Sequence, residues 1–250
     1  MTRRSREVGI VKSFVLGAAL AAALAVPAQA GDNKLALSAT TVFTTDYMFR
    51  SISNSGNGPA VQPEFDLTYG IFYAGIWGSN VSSAINPTSG IEIDYYAGIT
   101  PKWQNITFNI AGLYYTYPGA DEIDYFELKT GASWTGGNWT LGVTNYWSPD
   151  NFGLGTESDA IEGSVGYAFS GKLLNFFSPS ISGLVGYQAY EDIVPDYTYW
   201  NAGLTLGFME HWSADVRYFD TDYSEAECFI QSGGFGNCDA RVVGTIKAVY

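Results

Sequence analysis

A repeated extended pattern constrains this chain more than any other feature. Twelve segments of about ten residues alternate apolar and polar side chains with period two, each bounded by Gly, Pro, Asn, Asp or Ser. They lie near 34–49, 60–69, 71–80, 90–100, 105–116, 123–134, 138–148, 158–169, 180–190, 197–208, 211–221 and 240–250. In "IEIDYYAGIT", Ile91, Ile93, Tyr95, Ala97 and Ile99 share one face, while Glu92 and Asp94 share the other. In "HWSADVRYFD", Trp212, Ala214, Val216 and Tyr218 oppose Asp215 and Arg217. Segment three, "IFYAGIWGSN", carries aromatics on both faces and assigns neither inward. Such a chain is all-β. About 9–11 residues is the length a tilted strand needs to cross a bilayer, whereas strands of soluble sandwiches are commonly near 5–6.

Alternation fits two opposite solutions. A soluble barrel or sandwich turns the apolar face inward, and a barrel in lipid turns it outward. The first thirty residues favour the second. Arg3, Arg4, Arg6 and Lys12 precede the apolar run "SFVLGAALAAALAV", and "AQA" ends at Ala30. This is the form of a secretory signal peptide, and the run is short of the roughly 20 residues a spanning helix requires. The expected division is a cleaved signal peptide at 1–30 and an antiparallel transmembrane β-barrel of twelve strands at 31–250. Connections alternate between short ones ("YG", "PKWQ", "TGGN", "ME") and longer polar ones, with "SGKLLNFFSPS" at 170–180 as the exception. That alternation is the outer-membrane barrel pattern and places both termini on the short-turn, periplasmic side. Aromatics near segment ends (Tyr47, Phe49, Tyr69, Trp103, Trp139, Trp147, Phe208, Trp212, Tyr250) read as interfacial girdles.

A cation facing lipid at mid-bilayer costs about 2–4 kcal/mol, so the charged face should line the bore. On that basis Lys34, Arg50, Arg217, Arg241 and Lys247, on segments 1, 11 and 12, form a basic wall. Glu64, Asp66, Glu92, Asp94, Glu127 and Glu162, on segments 2, 4, 6 and 8, form an acidic wall. Opposed walls would orient dipolar solutes and set ion selectivity. The alternative is that the charges pair across the bore and satisfy one another. Asp46 and Asp215 lie within the basic wall, placed for local pairing with Arg50 and Arg217.

Without the leader the chain carries 8 Lys+Arg against 24 Asp+Glu, which argues against nucleic acid as a partner. A barrel hydrolase would need His with a Ser or acidic partner at the loop-side rim; the one His, His211, falls at a short turn, so no enzyme, metal or cofactor is expected. Cys228 and Cys238 share the last long loop of an exported chain, where a loop-closing disulfide is expected.

The blocks "TTDYMFRSIS", "GPAVQPEFDL", "YAGIWGSNV", "IEIDYYAGI", "LYYTYPGA" and "YWSPDNFG" resemble the TorF family of proteobacterial outer-membrane porin-like proteins, also called the Gcw_chp domain of unknown function. The resemblance covers essentially the whole mature chain. It implies an outer-membrane location in a Gram-negative bacterium and a pore, with no established substrate. Members often have Gly after the Arg of the first loop; here Ser51 follows Arg50.

The expected function is therefore a porin giving small hydrophilic solutes passive passage through a narrow lumen. The alternative is a non-conducting structural or adhesive barrel, with acidic loops meeting lipopolysaccharide, Ca²⁺ or a surface partner. Expected partners are outer-membrane lipid, lipopolysaccharide and the barrel assembly machinery. Tyr250, after Val242, Gly244, Ile246 and Ala248 at alternate positions, resembles the C-terminal signal that machinery reads. Oligomeric state is not legible.

Overall fold

A computed structural model describes residues 34–191 and 194–250, so the signal-peptide expectation at 1–30 lies outside the described residues. The alternating segments become twelve antiparallel strands. These are β1 (Leu35–Thr44), β2 (Ala60–Tyr69), β3 (Phe72–Asn80), β4 (Ile91–Ile99), β5 (Ile106–Thr116) and β6 (Tyr125–Gly136). They continue as β7 (Trp139–Ser148), β8 (Ser158–Ala168), β9 (Ser178–Tyr190), β10 (Tyr197–Phe208), β11 (Trp212–Thr221) and β12 (Arg241–Val249). Each strand pairs with its sequence neighbours, and β1 pairs with both β2 and β12, which closes the barrel. Tyr250 continues that closure by exchanging both backbone hydrogen bonds with Ala39. Among the described residues, none of the twelve barrel strands is left with an unpaired neighbour side for another chain to pair with.

The faces resolve as the cost of buried and lipid-facing charge requires. Leu37, Phe65, Ile76, Val143, Ile161, Val185, Val216 and Val242 are exposed around the outside, whereas Glu64, Glu92, Asp94, Glu127, Glu162 and Arg217 are buried inside. In β3, Tyr73 and Trp77 face inward while Phe72 and Ile76 face outward. Tyr69, Trp103, Trp139 and Tyr250 are exposed near strand ends. Two inward glycines make room for tyrosines of the neighbouring strand. A Cβ on Gly75 would lie 2.2 Å from the Tyr96 hydroxyl, and one on Gly186 would lie 2.3 Å from the Tyr199 ring.

The first segment departs from expectation. β1 ends at Thr44, and residues 45–59 fold back into the barrel instead of continuing outward. Tyr47 is buried against Trp77, and Phe49 packs edge-on to Tyr115, so neither belongs to an interfacial girdle. Their alternation imitates a longer strand because a short hairpin, Met48–Phe49 with Ile52–Ser53, keeps period two.

The last loop holds a helix that periodicity missed, α1 (Glu225–Ser232). Ser224 caps it reciprocally with Glu227, and left-handed Gly233 ends it. The S-E-A-E spacing was the available signal. Cys228 and Cys238 form the expected disulfide, bridging α1 to the return of the chain into β12. Because this link closes a short segment inside one loop, replacing both cysteines by serine should leave barrel melting nearly unchanged. Limited proteolysis within 222–240 should speed up several-fold, and an unchanged cleavage rate would show that the helix cap alone holds the loop.

Candidate functional site

The site is the lumen and the hairpin that enters it. Local polar contacts fold the hairpin. The Asp46 carboxylate accepts hydrogen bonds from Ser53 Oγ (2.6 Å) and Ser55 Oγ (2.8 Å), and Ser53 Oγ accepts from the Asn57 amide (2.8 Å). The Asn54 amide donates to the Tyr47 carbonyl at 2.7 Å. At the tip, Arg50 (φ 47°) and Ser51 (φ 61°) both occupy the left-handed region. That is the backbone of a two-residue hairpin turn that favours Asn-Gly, and it costs about 1–2 kcal/mol for each ordinary residue. Ser51 offsets part of this cost by donating to the Trp200 carbonyl at 3.1 Å. This explains why a glycine suits the position and why serine is accepted.

From the tip, Arg50 spans the bore. Its Nη2 donates to both Glu127 carboxylate oxygens on β6 (2.7 and 2.9 Å), and its Nη1 donates to Gln188 Oε1 on β9 (2.7 Å). The guanidinium lies over the Phe49 and Tyr146 rings, 4.7 and 5.0 Å from their centroids. Tyr115 donates to the same carboxylate at 2.9 Å, and Tyr197 donates to the Arg50 carbonyl at 3.3 Å. Arg50 is 3% exposed and Glu127 and Gln188 are 0% exposed, so solvent does not pass between them in this conformation.

The remaining wall residues are placed as follows. Glu64 and Asp66 flank the Tyr96 hydroxyl at 3.0 and 2.5 Å. Glu92 accepts from Tyr47 at 3.3 Å, with Asp94 two residues along the same face. Glu162 accepts from Tyr199 at 2.8 Å. Arg217 pairs with Asp215 at 3.2 Å and donates to Asn201 and Ser182. Arg241 pairs with Asp46 at 2.6 Å and also reaches Asn57 and the Gly236 carbonyl. Lys247 lines a small cavity of about 50 Å³ beneath the hairpin, with Thr44, Asp215 and Thr245. Lys34 is exposed at the start of the chain's described part, before β1.

The expected basic wall is thus not continuous. Arg50 sits on the inserted hairpin and bonds to the opposite side, Arg217 and Arg241 each hold a carboxylate, and Lys34 is exposed ahead of β1. Asp46 pairs with Arg241 rather than Arg50, because the hairpin carries Arg50 away from β1. One participant was missed in the sequence, Gln188, a neutral residue on an inward face; Lys129, which its charge and the alternation of its strand already place inward, is buried beside Tyr146. Uncharged inward residues carry no distinguishing pattern.

The family model described as "Bacterial protein of unknown function (Gcw_chp)" matches residues 28–250. The chain belongs to the Gcw_chp family. No curated protein sequence is significantly similar to it. Among solved structures this Gcw_chp barrel is similar to the KdgM porin, with TM-score 0.56 and 8% identity over 84% of this chain and 98% of that one. It is also similar to the NanC porin, with TM-score 0.51 and 11% identity over 86% of this chain and 98% of that one. At these identities the likeness is one of fold.

Proposed function

We propose that this protein is an outer-membrane porin, with periplasmic termini, that passes small hydrophilic solutes when the 45–59 hairpin leaves the bore. The observation that carries the reading is a closed barrel with apolar side chains outside and a charged interior. The fold shared with the KdgM and NanC porins supports it. The field inside is not two opposed walls. Glu64, Asp66, Glu92 and Asp94 crowd β2 and β4, whereas Arg217 stays paired with Asp215 on the wall, and withdrawal of the hairpin, which takes Arg50 and Asp46 out together, frees one acid, Glu127, and one base, Arg241. The open bore should therefore prefer cations. In planar bilayers Glu64→Gln should lower cation preference, and Arg217→Ala, by freeing Asp215, should raise it. Shifts of the same sign in both variants would remove this account of the lumen.

The buried Arg50–Glu127–Gln188 contact favours a second reading, a non-conducting structural or adhesive barrel. The two readings separate on one comparison. A porin conducts once the hairpin is released, and a structural barrel stays silent across salts and voltages with the hairpin released.

Tyr250 is assigned the role of assembly signal. It is 65% exposed and stacks on His211 with ring centroids 4.8 Å apart. Tyr250→Ala preserves the two backbone bonds to Ala39 yet should reduce outer-membrane insertion several-fold. Insertion equal to wild type would leave Tyr250 as a strand terminus only.

A further inference from the structure

Above the hairpin, at the long-loop end, lies a second cavity of about 290 Å³. Its floor is the hairpin itself, through Phe49, Arg50 and Ile52, and loops from around the rim close its sides. Ile85, Ile123, Phe152 and Ile230 make the lining mainly apolar, an unusual character for the mouth of a bore whose walls are charged. The cationic floor is not available to an anion, since Arg50 already holds Glu127 and Gln188.

One polar group in this lining is left over. Asn151 is 2% exposed, its amide nitrogen donates to Ser158 Oγ at 2.7 Å, and its backbone N–H bonds the Thr156 carbonyl. Its side-chain oxygen is buried without any hydrogen-bond partner. A buried acceptor without a donor is a cost that native structures rarely carry. A ligand with a donor at that point would remove the cost, while its apolar body would fill the rest.

The geometry points to a binding site here for a neutral, ring-bearing small molecule that presents one hydrogen-bond donor to Asn151. A mostly apolar cavity with a few converging polar groups is the usual form of a small-molecule site. The site is independent of conduction, because it exists with the hairpin closed and uses the hairpin as its floor.

Three isosteres of one size test it: indole offers a donor, benzofuran an acceptor, and indene neither. Each is titrated calorimetrically into the full chain in lipid nanodiscs, with empty nanodiscs subtracted to remove partition into lipid. Indole should bind saturably and at least about five-fold more tightly than the other two, the effect of one hydrogen bond. Asn151→Leu should abolish that preference, and Ala84→Trp, which adds bulk to the lining and leaves the Asn151 side chain in place, should weaken all three. Heat-modified gel mobility confirms that each variant is folded. Signals no greater than those of empty nanodiscs, or benzofuran binding as tightly as indole, would overturn the assignment. Neither outcome bears on whether the bore conducts hydrophilic solutes, which bilayer recording reads separately.

Discussion

Arg50→Ala is expected to open the bore. The guanidinium holds the hairpin tip to two strands on the far side of the barrel, and no other described side chain supplies both bonds. Removing one member of a buried ion pair typically costs about 3–5 kcal/mol, because the remaining charge stays buried and uncompensated. Here that cost falls on the closed conformation alone, since withdrawal of the hairpin lets Glu127 meet water. At about 1.4 kcal/mol per tenfold, even the lower figure moves the closed-to-open ratio by about two orders of magnitude. Single-channel recording should show the variant open for most of the time at voltages where wild type opens rarely, with larger current per channel and stronger cation preference from the freed Glu127. Glu127→Gln should act in the same direction but more weakly, because the amide still accepts one bond. The double variant Arg50→Ala/Glu127→Ala should fall well short of the summed single effects, as expected for partners in one contact. An Arg50→Ala barrel that is folded and electrically silent would exclude the hairpin as the closing element and leave the structural-barrel reading standing.

The second large effect concerns the outer surface. Val216 lies mid-strand on β11, 58% exposed, opposite Leu204 on β10 and Gly244 on β12. If this face meets lipid, Val216→Arg should destabilise the folded barrel by about 2–4 kcal/mol in bilayers. Val216→Leu should be close to neutral. Reversible urea unfolding in liposomes reads both. The comparison is diagnostic of orientation, because a surface facing water would tolerate arginine at least as well as valine. Equal stabilities for the two variants would therefore sink the membrane placement.

How much of this was legible depends on the range of the interactions. Strand identity was, because period two is written into each segment, and a charged residue such as Glu92 or Asp215 can lie only inside. Strand 3 was not, because Tyr73 and Trp77 fill the lumen while Phe72 and Ile76 face out. Aromatics suit both environments, so hydrophobicity does not separate them. The Cys228–Cys238 link was legible from their shared loop. Tyr47 and Phe49 were misplaced for a specific reason: a two-residue hairpin preserves the alternation of the strand before it. The left-handed pair Arg50–Ser51 that reverses the chain lacks the Asn-Gly signature such turns usually carry.

The charges show the same division most clearly. Sequence alone determined that this chain makes a closed run of amphipathic strands and that its ionisable residues belong on the inner face, since both follow from local alternation and from the cost of charge in lipid. Only the tertiary structure decided which charges meet. Arg50 and Glu127 are 77 residues apart, and Arg241 and Asp46 are 195 apart. Barrel closure brings β12 against β1, and the inward fold of one hairpin carries Arg50 across the bore. Partner choice at that range depends on how the strands are arranged around the cylinder and on one loop turning in rather than out, and no local pattern encodes either.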